Sequence, residues 1–171
     1  MNWWRTALKI ILGWHDDFKM KTYKHSDGLH PQVHSKLMLV LEECEKNNLH
    51  VRVYSGYRSY EEQQGLYNKG RTKPGDIVTN AKPGHSWHNF GLAFDLVFID
   101  EHGNWSWSEK HDWDKIGEIG EKHGLFWGGN WVNLVDRPHF HAKINISLAK
   151  CRELHNLGGV KNVWDNIKVK E

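Results

Sequence analysis

The sequence is short of cysteine, of long apolar runs and of any dominant charge, and each shortage removes a class of protein. Its two cysteines, Cys44 and Cys151, lie far apart and form no Cys-x-x-Cys pair, which argues against a thiolate zinc site. Each falls in a segment that reads as helix, so buried, inert thiols are the plain reading, with a disulfide between them left open. Lysine and arginine number 23 against 21 acidic residues, and a net charge of +2 scattered along the chain gives no footprint for nucleic acid. Such mild basicity suits an anionic polymer but argues for one only weakly. The amino terminus, Met1 to Trp14, is apolar but carries Arg5 and Lys9 and is too short to span a bilayer. His15-Asp16-Asp17 follows it where a small-residue cleavage site would stand, so a signal peptide is not expected. An amphipathic helix packed on the domain or resting on a membrane surface is expected instead, with a signal anchor as the alternative. Repeats and low-complexity tracts are lacking too.

What is present is an ordinary globular composition, 39% hydrophobic and 26% charged over 171 residues, which suffices for one domain with a real core. Residues 30–47 read as a helix, with Pro31 in the first turn and Val33, Leu37, Val40, Leu41 and Cys44 at three- and four-residue spacing. A short strand follows over residues 50–55. Ser59 and Glu62 form a capping box that opens a helix running to about Lys69. Residues 71–89 hold Gly75, Gly84 and two prolines with little periodicity, a long loop of the kind that is often functional. Residues 92–99 alternate as a strand, with Leu92, Phe94, Leu96 and Phe98 on one face and Ala93, Asp95 and Val97 on the other. A helix over 108–123, strands over 125–127 and 138–144, and two short terminal helices over 147–156 and 159–166 complete the reading. Helices and strands without regular alternation predict an α+β fold, an antiparallel sheet flanked by helices.

Asp95 is the residue that asks for explanation, because an ionised carboxylate in an apolar strand is costly unless a cation offsets its desolvation. His88 lies seven residues earlier in the loop feeding that strand, and Gly91 between them lets the backbone bend. On a second strand His139 and His141 share one face, and if the two strands are neighbours Asp95 and His139 approach to ligand distance. Two imidazoles and a carboxylate are the protein ligands of a catalytic zinc site with a fourth position open. Asp136, three residues before His139, is placed to act as a base towards water. His141 stands as the alternative ligand, but the spacing to Asp136 favours His139. Taken singly, each histidine is more simply a surface or core residue, and Asp95 a buried hydrogen-bonded carboxylate; the joint pattern carries the reading.

That pattern resembles the zinc peptidase family of D-Ala-D-Ala carboxypeptidases and L-alanyl-D-glutamate endopeptidases, in its phage endolysin-like branch. The signature S-x-H-x-x-G-x-A-x-D is matched by Ser86, His88, Gly91, Ala93 and Asp95, and the following acidic-x-x-His element by Asp136 and His139. Leu29-His30-Pro31, Ser55-Gly56-Tyr57-Arg58-Ser59, Gly70-Arg71-Thr72 and Phe126-Trp127-Gly128-Gly129 add to it, so that it spans about residues 28–144. The resemblance implies a Hedgehog/DD-peptidase-like fold, Zn2+ held by His88, Asp95 and His139, and Asp136 as general base. It also implies that Arg58 steadies the scissile carbonyl oxygen, with a structural ion pair as the alternative. Ser86 is assigned to substrate or to fixing its loop, and His141, where relatives carry Gln or Glu, to substrate contact.

Three units follow: an amino-terminal segment over 1–27, the catalytic domain over 28–146 and a helical extension over 147–171. The implied activity is hydrolysis of the L-Ala-D-Glu bond of the peptidoglycan stem peptide by a monomer acting on the cell wall, made in the cytoplasm and released by a holin or a dedicated export route. Removal of terminal D-Ala is the nearest alternative. A zinc-stabilised, non-catalytic wall-binding module is a more distant one, against which Asp136 and Arg58 argue. Of ten tryptophans, Trp87 and Trp127 border the motifs and are the candidates for stacking on glycan, against packing as the simpler role.

Overall fold

A computed structural model describes residues 25–170 of the chain, so the expectations for residues 1–24 fall outside the described residues. Helix α1 (Pro31–Lys46) buries the five side chains that the periodicity selects, and its predicted outermost residues, His30 and Asn47, are its caps. Strand β1 (Val51–Ser55) leads to α2 (Tyr60–Asn68), which opens on the expected box: Glu62 N–H donates to Ser59 Oγ (3.1 Å) and Ser59 N–H to Glu62 Oε2 (2.7 Å). A 3-10 turn (Trp87–Phe90) closes the long loop and delivers the chain to β2 (Ala93–Ile99).

Helix α3 (Trp113–Lys122) starts five residues later than the sequence pattern predicts. Asp112 caps it, accepting from Lys115 N–H at 3.0 Å, and Trp113 Nε1 donates back to the Ser108 carbonyl at 2.9 Å. Those two bonds hold residues 108–112 as turns. The two expected terminal helices are present, meeting at a kink at Gly158 and Gly159, and together are labelled α4 (Leu148–Asp165). No described helix is long and apolar enough to cross a membrane.

The strands form one antiparallel sheet in the order β1-β2-β5-β4, with β4 at Leu125–Trp127 and β5 at His139–Ala142. A fifth strand, β3 (Trp105–Ser106), pairs with the far end of β2 and is too short to show a period in the sequence. One face of the sheet is covered by helices. Gly117 and Gly120 let α3 lie close to it, since a Cβ there would stand 2.4 Å from the Trp127 ring and 2.3 Å from Phe140. Phe140 stacks on Phe94 across the β2–β5 ladder, ring centres 5.5 Å apart, so the alternate residues Asp95, His139 and His141 point away from these helices.

The carboxyl-terminal helix joins the same core. Cys151 and Val163 are buried in it, Trp164 Nε1 donates to the Phe90 carbonyl (2.7 Å), and His155 stacks on Tyr60 at 4.4 Å. Both cysteines are free, buried thiols; burial pushes Cys44 up to about 12 and Cys151 up to about 11.

Candidate metal centre and active site

Three side chains meet where β2, β5 and the 3-10 turn converge. Asp95 and His139 are direct register partners across the β2–β5 ladder, which places both on the free face of the sheet. His88 reaches them from the 3-10 turn, whose last residue is followed by Gly91 in the left-handed conformation (φ 66°). A Cβ at Gly91 would lie 2.4 Å from the Gly28 carbonyl, so both the bend and the close approach require glycine.

The donor atoms are His88 Nε2, Asp95 Oδ1 and His139 Nδ1. They stand 3.1 Å apart (His88–Asp95), 3.2 Å (His88–His139) and 3.1 Å (His139–Asp95). His88 Nδ1 lies 2.7 Å from the Gly56 carbonyl, which can only accept. Nδ1 therefore carries the proton, and Nε2 turns a lone pair towards Asp95. Two acceptors 3.1 Å apart in a buried site call for a cation between them. Zinc bound tetrahedrally at about 2.0–2.1 Å would space neighbouring ligand atoms by roughly 3.3 Å, close to what the three side chains already hold. Two imidazole nitrogens and one carboxylate oxygen are also the ligand types that zinc takes in catalytic centres. The residues fit the ion.

Charge follows the geometry. Burial pushes the Asp95 carboxyl upwards, yet the two imidazoles of His88 and His139 against it hold it well below the usual range. Burial lowers His88 against the attraction of Asp95, which favours the neutral, ligating form. Arg58 closes the other side of Asp95: Nη2 donates to Oδ2 at 3.0 Å, Nη1 to Gln63 Oε1 at 3.2 Å and Nε to Ser55 Oγ at 3.1 Å. Three of five guanidinium N–H groups are thus engaged, leaving one on each terminal nitrogen.

The donor triad sits on the wall of an open cavity of about 620 Å³ that also includes Arg58, Ser86, Trp107, Trp131 and Asp136. Asp136 is half-buried beside His139, and its N–H donates to the Gly128 carbonyl at 3.0 Å. Among the described residues its carboxylate has no hydrogen-bond partner. Burial and the nearby Asp95 raise its pKa, the direction that makes a carboxylate a better base. Ser86 lines the cavity and makes no cap bond to the 3-10 turn that it precedes.

His141 is placed differently from the others. It is 9% exposed, stacked between Trp87 (5.6 Å) and Phe126 (5.2 Å), and it does not line this cavity. Burial brings it down to about 3, so it stays neutral, and its buried Nδ1 has no partner among the described residues. The metal-ligand cluster takes His139 and leaves His141 out. Trp127 is 7% exposed and packs in the core.

Sequence reasoning missed the polar web behind the site. Asn89, fully buried, accepts from Gly84 N–H (2.9 Å) and donates to the Arg58 carbonyl (2.9 Å), while Arg58 N–H donates to the His88 carbonyl (3.0 Å). Gln63, the one buried residue of α2, takes the Arg58 bond and donates to the Ala81 carbonyl at 2.8 Å. The available signal was slight: amide side chains at inward positions of a motif and a helix. Trp131 was missed as well, although its ring lies 5.1 Å from that of His139 on the cavity wall.

Two imidazoles and a carboxylate on the wall of an open cavity, with a spare carboxylate beside them, define the chemical class as metal-dependent hydrolase. The family model VanY, D-alanyl-D-alanine carboxypeptidase, matches residues 26–131, a span that holds Arg58, Ser86, His88 and Asp95 and stops short of Asp136 and His139. The chain belongs to this family. It is 34% identical over 134 residues to the peptidoglycan L-alanyl-D-glutamate endopeptidase CwlK of Bacillus subtilis (strain 168), covering 74% of this chain and 80% of that protein. Its fold is similar to that of the L-Ala D-Glu endopeptidase ChiX of Serratia marcescens (TM-score 0.54, 24% identity, 71% of this chain and 85% of that one). It is similar also to the vancomycin resistance D,D-pentapeptidase VanY, solved with Zn(II) (TM-score 0.51, 16% identity, 79% and 83%).

Proposed function

We propose that the protein is a zinc-dependent peptidoglycan peptidase that hydrolyses the L-Ala-D-Glu bond of the stem peptide. The observation that carries the chemistry is the convergence of His88 Nε2, Asp95 Oδ1 and His139 Nδ1 within 3.2 Å beside the Asp136 carboxylate, which is unpartnered among the described residues. The choice of bond rests on the 34% identity to a curated L-alanyl-D-glutamate endopeptidase.

His88, Asp95 and His139 would hold the zinc, which when bound supplies a Lewis acid for polarising an amide carbonyl and acidifying water. Asp136 accepts the proton of the attacking water as its oxygen adds to the L-Ala carbonyl carbon. As the C–N bond breaks, the same carboxyl returns the proton to the departing D-Glu nitrogen, so that protons balance over the cycle. Arg58 keeps Asp95 oriented and turns its remaining N–H groups to the developing oxyanion. Ser86 contributes a hydroxyl to the cavity wall. His141 supports the His139 side of the centre by packing, and substrate contact falls to Trp131 and the cavity loops. The enzyme reaches the wall from the cytoplasm through a holin or a dedicated export route and works as a monomer.

Incubation of the zinc-loaded chain with the free stem peptide, read by mass spectrometry, tests the assignment. Cleavage after L-Ala is the expected product. The description of the matched family favours a second reading, and loss of a single terminal D-Ala would establish that one instead. An intact peptide with zinc bound would reject both.

A further inference from the structure

Three aromatic side chains stand exposed together at the rim of the metal cavity, outside the machinery described above. Tyr54 is 41% exposed, Trp105 54% and Trp107 44%. They are not scattered: Tyr54 meets Trp105 edge-on at 5.0 Å and Trp107 edge-on at 4.9 Å. Tyr54 and Trp107 line the same cavity as the donor triad, and Tyr54 and Trp105 line an adjoining hollow of about 600 Å³ that shares Arg58 and Asp95 with it. The cluster is therefore continuous with the active site.

It is also held rigidly. Asp100 Oδ1 accepts the His102 and Asn104 N–H groups (2.9 and 2.8 Å), which fixes the turn between β2 and β3. Ser106, between the two tryptophans, hydrogen-bonds His111 Nε2 at 2.7 Å, and His111 stacks on Phe98 at 4.3 Å. A platform of indole and phenol faces, partly in water and fixed in advance, suits a ligand with one apolar face and a polar periphery. A pyranose ring, with its C–H face and its hydroxyls, is such a ligand.

We propose that Tyr54, Trp105 and Trp107 form a subsite for the N-acetylated amino sugar to which the stem peptide is attached. This rests on the L-Ala-D-Glu reading, and it gives that reading a structural reason. The L-Ala nitrogen is joined through a lactyl group to the muramic acid ring, so the scissile bond lies within about two residue lengths, roughly 7 Å, of the sugar. By the same count a terminal D-Ala bond lies some five lengths out, about 17 Å along an extended stem. An enzyme cutting next to the glycan meets the sugar at its rim, whereas one trimming the far end does not.

The test compares two substrates with the full, zinc-loaded chain: the free stem peptide acetylated on L-Ala, and the same peptide on its GlcNAc-MurNAc disaccharide. Replacing Trp105 and Trp107 together by Ala should lower the ratio of kcat/KM for the disaccharide-bearing over the free substrate by about tenfold, from two lost aromatic contacts. An unchanged ratio, whether through equal loss on both or no loss at all, overturns the subsite. The second arm needs no turnover: titration with peptide-free GlcNAc-MurNAc should quench tryptophan fluorescence saturably in the parent and in Trp107→Phe, and not in the double variant. Absence of saturable quenching in the parent overturns the proposal as well. A failure to cut either substrate, with the quenching intact, would sink the assigned bond and leave the sugar site standing. If the tryptophan pair instead governs self-association, sedimentation will change with the double variant while sugar quenching is absent, and the proposal falls.

Discussion

Asp95 and His139 face each other as register partners on adjacent antiparallel strands, and their side chains meet at 3.1 Å on the open face of the sheet. The backbone ladder thus sets two of the three proposed metal ligands, and the third, His88, is oriented by the Gly56 carbonyl at 2.7 Å. Replacing Asp95 by Asn removes the anionic ligand and turns the Arg58 contact into a neutral one. Zinc content by elemental analysis after dialysis should fall from about one equivalent to near zero, since a catalytic zinc needs its three protein ligands. Retention of a full equivalent would contradict the assignment.

Asp136 is tied to the cavity by its backbone but, among the described residues, leaves its carboxylate unpartnered, which suits a proton carrier rather than a ligand. Asp136→Asn should keep zinc and the melting temperature while lowering hydrolysis by about 10²–10⁴-fold, the usual range for a positioned base. Full activity in a variant with its zinc intact would assign the proton transfer elsewhere.

Much of this centre was legible in the sequence because both strand period and motif spacing act locally. Asp95 in an apolar strand and His139 one residue out of phase with Phe140 already put both on the same kind of face, and the pairing of β2 with β5 needed only the antiparallel sheet. What the sequence hid is non-local. Helix α3 begins at Trp113 because Asp112 caps it and Trp113 folds back on Ser108, a choice among several polar residues that periodicity does not rank. His141 shares its face with His139, yet the aromatic rings of Trp87 and Phe126, brought in from the loop and from β4, take it out of the cavity. The bonds of Asn89 and Gln63 join segments up to 31 residues apart and leave no pattern in the chain.

That web makes a prediction about stability. Asn89→Ala leaves the Gly84 N–H and the Arg58 carbonyl buried without their partner. Each unsatisfied buried group costs about 1–3 kcal/mol, so urea unfolding should show a loss of at least about 2 kcal/mol with little change in slope. A loss of only a few tenths would mean that water replaces the amide.

His30 gives the fold a pH dependence whose sign can be worked out. Its Nδ1 accepts the Gln32 N–H at 3.2 Å as the cap of α1, the ring is 8% exposed, and it packs edge-on against Trp164 at 5.4 Å. Burial lowers its pKa, and protonation at Nδ1 would abolish the acceptor. In the unfolded chain the imidazole titrates near pH 6.5. Above that value both states are neutral and the cap contributes fully; as pH falls below it, the unfolded chain takes up the proton first and stability drains away until the folded pKa is passed. Asn at this position keeps a capping acceptor that does not titrate. Melting temperatures of the metal-free chain between pH 8 and pH 5 should therefore fall more steeply for the parent than for His30→Asn, with the two curves parallel above pH 7. Parallel curves over the whole range would show that His30 is protonated as easily folded as unfolded, and that the cap does not depend on its lone pair.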